Sequence, residues 1–259
     1  MAQKLFVLLL MVNWAHLRAQ DGGISDNSFL IEEAYNQEPR VVQHISNLVH
    51  TKKSKEWGYA LTQEWPVFLQ AHQISYTIPY AWMAGNSANG FGDMTIHYRY
   101  QLWGDAHWAA FSPRLSIILP TGDKKKGLGS GKTAYQVNLP LSKRLGASWV
   151  VHFNAGATIT PGVSTDTNKE TLWSYNVGGS MVWLVKNNFN MLVEFATGYE
   201  DEITGGQVRN QSSYVINPGV RYAYNVGALQ IVPGLCFPIE LNSEKTKQWF
   251  IYLSLEHPF

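Results

Sequence analysis

Apolar and polar residues alternate along most of the chain between residues 39 and 259. The last twelve residues, QWFIYLSLEHPF, show the pattern most clearly. One face carries Trp249, Ile251, Leu253, Leu255, His257 and Phe259, and the other carries Phe250, Tyr252, Ser254, Glu256 and Pro258. A period of two residues is typical of a strand whose two faces meet different surroundings. The chain is therefore predicted to be all-β.

Twelve segments with strand-like character follow one another from residue 39. They span residues 39–49, 55–65, 67–79, 90–102, 108–120, 132–144, 148–160, 171–185, 189–200, 212–224, 228–241 and 248–259. Prolines inside these segments each remove a main-chain donor, so bulges or interruptions are expected at Pro140, Pro218, Pro233 and Pro238. A shift of apolar parity between Leu69 and Ile74 predicts a further bulge or a different strand boundary in the third segment.

The alternation alone fits a soluble sandwich as well as a barrel turned inside out. The connections favour the barrel, since longer and shorter ones tend to alternate. The longer ones span residues 50–54, 81–89, 121–131, 161–170, 201–211 and 242–247, and the shorter ones 65–66, 103–107, 145–147, 186–188 and 225–227. This pattern predicts a transmembrane antiparallel β-barrel of about 12 strands with periplasmic N- and C-termini. The last strand is expected to pair with the first, because an unpaired backbone group in hydrocarbon costs several kcal/mol.

Aromatic residues give a second indication of a membrane barrel. Trp173 and Trp183 lie ten residues apart on one face, which in a tilted strand spans roughly 25 Å, the height of the apolar band of such barrels. Two levels of rings are what two membrane interfaces favour, and an aromatic core is the alternative interpretation. The predicted aromatic girdle comprises Trp57, Trp82, Trp103, Trp108, Trp149, Trp173, Trp183, Trp249 and Phe259.

The chain is expected to divide into three parts. Residues 1–19 are interpreted as a signal peptide, with Lys4 ahead of a short apolar core. Residues 20–38 are expected to form an N-terminal periplasmic segment or plug, in which a short helix at residues 28–36 and a loosely ordered arm are both open. Residues 39–259 are expected to form the barrel, placed in the bacterial outer membrane.

The polar face of the strands is where function is expected. An arginine that faces lipid at mid-depth costs about 2–4 kcal/mol, so strand arginines are expected to face the lumen. The predicted lumen-lining residues are His97, Arg99, Arg114, Gln136, Asn138, His152, Asn154, Glu194, Arg221, Gln230 and Tyr252. Glu194 is expected to pair with one or more of these arginines. The network either holds a narrow lumen together or lines a path for solutes.

Two short motifs suggest chemistry without supporting it. Residues 126–133, KGLGSGKT, approach a phosphate-binding loop, but Lys126 stands where that motif needs glycine and no helix is expected to follow. The stretch is interpreted as a basic external loop that meets lipopolysaccharide, together with lysines of the first loop. These lysines are Lys52, Lys53, Lys55, Lys124, Lys125, Lys126 and Lys132.

His44 and Ser46 lie two residues apart on one face of the first segment, as a base and a nucleophile of a lipid hydrolase would. A polar pair at the lumen or interface is the other interpretation. The pattern shows no carboxylate pair and no metal cluster, so no cofactor and no metal are expected. The net charge of +1 gives no reason to expect a nucleic-acid partner.

Three stretches resemble one family of outer-membrane barrels, named for the MetA-pathway of phenol degradation and described as transporters. They are residues 90–103 (GFGDMTIHYRYQLW), 113–123 (PRLSIILPTGD) and the glycine-rich residues 127–131. The resemblance implies a twelve-stranded barrel and the passage of small, often aromatic, compounds. It supplies no catalytic residues.

The expected function is thus a passive outer-membrane channel or transporter for small, aromatic or hydrophobic molecules, and not an enzyme. One alternative is a structural or accessory barrel with a plugged lumen, which has protein partners in a larger outer-membrane assembly. A minor alternative is a lipid hydrolase that uses His44 and Ser46. The expected surroundings are the lipid bilayer and lipopolysaccharide.

Overall fold

The computed structural model describes residue 24 and residues 28–84, 88–242 and 246–259. The expected signal peptide at residues 1–19 lies outside the described residues, as do residues 20–23 and 25–27 of the N-terminal part. In the described part of the chain, no helix is long and apolar enough to cross a membrane.

The chain forms one closed antiparallel sheet of twelve strands, which confirms the predicted fold class and strand number. Several strands consist of two segments on either side of a short interruption. The strands are β1 (Val41–Thr51), β2 (Glu56–Val67), β3 (Leu69–Trp82), β4 (Asn89–Phe91 and Thr95–Tyr100), β5 (Ala110–Phe111 and Arg114–Ile118), β6 (Ala134–Asn138 and Leu141–Leu145), β7 (Trp149–Ser164), β8 (Lys169–Lys186), β9 (Phe189–Thr204), β10 (Gln207–Tyr222 and Tyr224–Val226), β11 (Leu229–Cys236 and Ile239–Glu240) and β12 (Gln248–Pro258).

The barrel closes between its last strand and its first. β12 pairs with β1 along its whole length, from Pro258 opposite Val41 to Gln248 opposite Thr51. β12 also pairs with β11, so neither terminal strand leaves a free edge. The predicted closure is confirmed, and both ends of the barrel sequence lie at one end of the cylinder.

Two connections that were predicted to be long, residues 161–170 and 201–211, are short, so their predicted lengths are wrong. The hairpin between β7 and β8 turns within residues 165–168, and the hairpin between β9 and β10 turns at Gly205 and Gly206, both with positive φ. The apolar alternation fades near residue 200, but main-chain pairing continues to Thr204 opposite Gln207. Pairing needs backbone groups and not apolar side chains, so these hairpins extend further than their apolar pattern.

Local irregularities occur at some of the predicted positions. Pro140 separates the two segments of β6, and Pro238 those of β11, whereas Pro218 and Pro233 lie inside continuous segments. The register between β2 and β3 shifts between Pro66 and Val67, as the change of apolar parity in that region predicted.

The two faces of the sheet have opposite character. The outer face exposes large apolar side chains, for example Ile117, Phe195 and Ile251. The inner face buries polar ones, and Gln43, Asn217 and Arg221 are at most 1% exposed. The interior is therefore a polar network, which is the reverse of a soluble sandwich.

The residues of the predicted girdle all have exposed side chains. Trp57 pairs with Trp82 across β2 and β3, at the end away from the termini, and Trp249 lies opposite His50 at the same level. Trp149 and Trp183 pair and stack near the other end, with ring centroids 5.8 Å apart. Rings therefore lie on the outer face at two heights.

Candidate functional site

Residues 28–38, here called the N-terminal segment, lie inside the barrel and contain no helix. The short helix considered at residues 28–36 is therefore wrong. The physical reason is that side chains of the wall take the N–H groups that a helix would use internally. Asn154 Oδ1 accepts from Glu32 N at 3.1 Å, and Ser142 Oγ accepts from Ala34 N at 2.8 Å. Glu194 Oε1 also accepts from Leu30 N at 2.8 Å and from Ile31 N at 2.9 Å.

Arg99 on β4 makes the largest set of contacts with the N-terminal segment. Its Nη2 donates to the Tyr35 carbonyl at 2.7 Å, and its Nε to Asn36 Oδ1 at 2.9 Å. Its Nη1 donates to the Glu33 carbonyl at 3.0 Å and lies 3.2 Å from Glu32 Oε1. The planar guanidinium suits this use, because its five donors point outward in one plane. Arg99 is 3% exposed, so these bonds form away from water.

Besides Arg99 on β4, Glu32 contacts three further strands. Its Oε2 lies 3.1 Å from Nη1 of Arg114 on β5 and accepts from Nδ2 of Asn138 on β6 at 2.6 Å. Its backbone carbonyl accepts from Nδ2 of Asn154 on β7 at 2.6 Å. A buried ion pair offsets its desolvation only when hydrogen bonds satisfy the remaining atoms, and Glu32 meets that condition.

Glycines of the barrel wall provide space for two apolar side chains of the segment. A Cβ added at Gly178 would lie 2.4 Å from Ile31 Cδ1, and one at Gly234 would lie 2.6 Å from Cε1 of Phe29. Phe29 also packs edge-on against Tyr252, with ring centroids 5.5 Å apart. The segment is thus held by shape as well as by charge.

The N-terminal segment contributes to the walls of two cavities. A cavity of about 580 Å³ toward the terminal end is lined by Tyr35 and Asn36 together with residues 104–105 and 107–110. A cavity of about 400 Å³ further into the barrel is lined by residues 28–32 and by polar side chains that include Arg114. Burial and the nearby Asp105 carboxylate raise the pKa of Tyr35, so its hydroxyl stays protonated in the first cavity.

Seven of the predicted lumen-lining residues contact the segment directly: Arg99, Arg114, Asn138, His152, Asn154, Glu194 and Tyr252. The others support these contacts or lie apart. His97 and Gln136 bond to wall side chains, Arg221 is buried, and Gln230 is half-buried. Glu194 forms no direct ion pair with an arginine in the described part of the chain, since its oxygens accept from Leu30 N, Ile31 N and Asn217 Nδ2. The expected partner Arg221 interacts with Glu194 through its charge at longer range.

The acidic residues of the segment were missed as site residues. The predicted lumen held three arginines and one carboxylate, which left positive charge without a partner. Glu32 and Glu33 supply the missing charge, at 3.2 Å and 3.3 Å from Arg99 Nη1. This charge imbalance was the signal in the sequence that could have located them.

His44 and Ser46 do not form a base and nucleophile pair. Nε2 of His44 lies 3.3 Å from Nε2 of His257, and Ser46 Oγ bonds to the Tyr59 hydroxyl at 3.1 Å. An activated serine needs its hydroxyl within hydrogen-bond reach of the base. The geometry therefore gives no support to a hydrolase.

The glycine-rich stretch near residue 126 folds over Asp93 on the connection inside β4. Asp93 Oδ1 accepts from Gly122 N at 2.8 Å, and Oδ2 accepts from Ser130 N at 2.9 Å. Only a three-residue 3-10 turn, Lys124–Lys126, forms within it. An ordered basic loop results, rather than a phosphate cradle at a helix N-terminus.

Comparison with known proteins identifies the family. Residues 35–231 match the family described as "Putative MetA-pathway of phenol degradation". The chain belongs to this family. The match covers the last four residues of the N-terminal segment and the barrel as far as β11. The resemblance found in the sequence is thereby confirmed.

Solved structures share the fold of this family member. The COG4313 outer membrane channel from Pseudomonas putida F1 is 12% identical, with a TM-score of 0.63 over 87% of this chain and 98% of that one. A structure titled KdgM porin is 8% identical, with a TM-score of 0.54 over 84% of this chain and 99% of that one. No curated protein matches the sequence. The chain therefore has the fold of outer-membrane channel proteins.

Proposed function

We propose that this barrel is a passive outer-membrane channel for small molecules and that residues 28–38 plug its lumen. The observation that carries the proposal is the N-terminal segment itself, which lies between two cavities and is held only by noncovalent contacts. A segment bound in this way can leave without breaking a covalent bond. Its removal would join the two cavities into one path.

The solutes proposed are small and aromatic or hydrophobic. The family description names phenol degradation, which supports compounds of this class. The inner cavity combines aromatic side chains, Phe29 and Tyr252, with the polar atoms of Arg114 and Asn176. A ring with one polar group matches such a lining, because the ring can pack while the polar group finds a partner.

The proposed orientation places both termini in the periplasm and the lysine-rich loops outside. The two levels of exposed tryptophans would then lie at the two membrane interfaces. Lys124, Lys125 and Lys126 are exposed on an ordered turn and would meet the phosphates of lipopolysaccharide. The barrel would thus be a resident of the bacterial outer membrane.

Swelling of liposomes tests the channel directly. Liposomes that carry the purified barrel are placed in phenol-sized and sugar-sized solutes, and the swelling rates are compared with those of empty liposomes. We expect faster swelling with the smaller solutes, and a further gain when the N-terminal segment is released by mutation. A barrel that remains sealed with and without the segment would contradict a channel.

A second candidate function is an accessory barrel of a larger outer-membrane assembly. The filled lumen favours it, because twelve strands leave little free width once side chains and an extra segment occupy the interior. Extraction in mild detergent distinguishes the two functions. Stable co-purified partners together with a sealed lumen would support the accessory role, and a lone conducting monomer would exclude it.

Adding a methyl group at Gly234 is expected to loosen the segment. The alanine Cβ would lie 2.6 Å from Phe29 Cε1, so the ring must move. Overpacking of this kind costs about 1–3 kcal/mol, and here it falls on the bound state of the segment. We expect Gly234→Ala to raise planar-bilayer conductance several-fold.

The matched control is Gly58→Ala, since nothing lies within 4 Å of a Cβ added at Gly58 in β2. This variant should conduct like wild type. Combining Gly234→Ala with Phe29→Leu should restore the low conductance, because the smaller side chain makes room for the methyl group. If both glycine variants behave alike, the packing of Phe29 does not hold the segment.

A further inference from the structure

Two histidines face each other across the seam where β12 pairs with β1. Nε2 of His44 lies 3.3 Å from Nε2 of His257, and the rings are nearly parallel at an interplanar angle of 21°. The neighbouring residues Gln43 and Glu256 bond to each other on the inner face, at 2.8 Å. Since alternate residues of a strand face opposite ways, the histidine pair lies on the outer face, near the terminal end of the barrel.

The separation of the two nitrogens fits one shared metal ion. Zinc–imidazole bonds are about 2.0–2.1 Å long, and two of them at a tetrahedral angle place their nitrogens about 3.3 Å apart. The observed distance between the two Nε2 atoms has the same value. Both side chains are half-buried, so an ion can reach them from outside.

The backbone next to His257 fixes the ring in the form that binds metals. Nδ1 of His257 lies 3.0 Å from the Pro258 carbonyl oxygen. A carbonyl can only accept, so the proton is on Nδ1 and the lone pair is on Nε2. Histidine ligands of metals typically donate their second ring N–H to such a partner. Without metal, Nε2–H of His44 donates to Nε2 of His257. When a cation binds, His44 takes the other tautomer, with its proton on Nδ1, so that both Nε2 lone pairs face the ion and both rings stay neutral.

We propose that His44 and His257 bind a divalent transition-metal ion that ties the last strand to the first. Imidazole nitrogen suits zinc, nickel and copper, whereas magnesium and calcium prefer oxygen. The described residues contain no cluster of three or more His, Cys, Asp or Glu side chains that could hold a metal, so water completes the coordination. The ion would join residues 213 positions apart at the strand pair that closes the barrel.

Titration of Zn²⁺ into the folded barrel tests this site. The full chain is purified in detergent without a polyhistidine tag, and binding is measured by calorimetry. The temperature at which the folded band is lost on a gel is measured with Zn²⁺ and with chelator. We expect one equivalent of Zn²⁺ to bind and to raise that temperature, because a ligand that binds only the folded state stabilises it.

His44→Ala and His257→Ala should each weaken Zn²⁺ binding at least about tenfold and abolish the thermal shift. His50→Ala is the matched control, since His50 is on the same strand and face but packs on Trp57 with ring centroids 4.4 Å apart. It should bind like wild type. His44→Gln and His257→Gln replace the alanine variants if those fail to fold. Absence of Zn²⁺ uptake by wild type, or undiminished uptake without His44, would overturn the site.

Discussion

Arg99→Ala is expected to open the barrel, with conductance in planar bilayers far above the wild-type level. The substitution removes donors to the Tyr35 carbonyl, Asn36 Oδ1 and the Glu33 carbonyl. It also leaves the carboxylates of Glu32, partly buried, and Glu33, buried, without their nearest positive charge on β4. Removing one partner of a buried ion pair costs about 3–5 kcal/mol. Because this cost falls on the plugged state, the ratio of open to plugged barrels should rise about a hundredfold or more.

Two further variants separate loss of the contacts from loss of charge. Arg99→Lys keeps the charge but cannot supply the planar set of donors, so its conductance should lie between those of wild type and Arg99→Ala. Arg209→Ala removes an exposed arginine from the outer part of β10 and should leave conductance unchanged. A folded Arg99→Ala barrel that conducts like wild type would show that the segment does not limit passage.

A disulfide between residues 28 and 180 is expected to keep the barrel closed. The hydroxyls of Ser28 and Ser180 lie 2.6 Å apart and are buried, so cysteines at these positions are close enough to join. In the double variant Ser28→Cys and Ser180→Cys, oxidation should hold the N-terminal segment in the lumen. When Arg99→Ala is also present, oxidation should lower conductance by about the factor that this substitution gained, and reduction should restore it.

The single variant Ser28→Cys is the control, since it cannot form the bond. Cys236 is the one native cysteine and is buried, and Cys236→Ala removes it from the background. Conductance should respond to the redox state only in the double variant. An oxidised, fully cross-linked barrel that conducts as well as its reduced form would mean that solutes pass beside the segment.

The barrel itself could be predicted from local pattern. Each strand repeats the same two-residue alternation, so twelve weak indications agree on one architecture. Closure then follows, because every backbone group in hydrocarbon needs a partner and β12 finds β1. The sequence pattern underestimated the lengths of β9 and β10. Their outer parts pair through backbone hydrogen bonds, and the residues there do not alternate between apolar and polar.

The path of the N-terminal segment could not be predicted in the same way. Residues 28–38 have no regular period, and their partners are remote in sequence: Leu30 bonds to a residue 164 positions away and Ala34 to one 108 positions away. When the backbone N–H groups of a segment donate to side chains far away in the sequence, the local sequence shows no pattern that predicts these bonds. The helix considered at residues 28–36, as one of two alternatives, rested on local cap residues, and hydrogen bonds to the barrel wall form in its place.

The sequence by itself determined the two faces of the sheet, the number of strands and their closure, because these depend on residues one or two positions apart. Only the tertiary structure decided what fills the lumen. It brings Arg99 to the carbonyls of the segment, opens space for Ile31 at Gly178, and sets His44 against His257 at the seam. Each of these contacts joins positions far apart in the chain, and only the closed barrel brings them together.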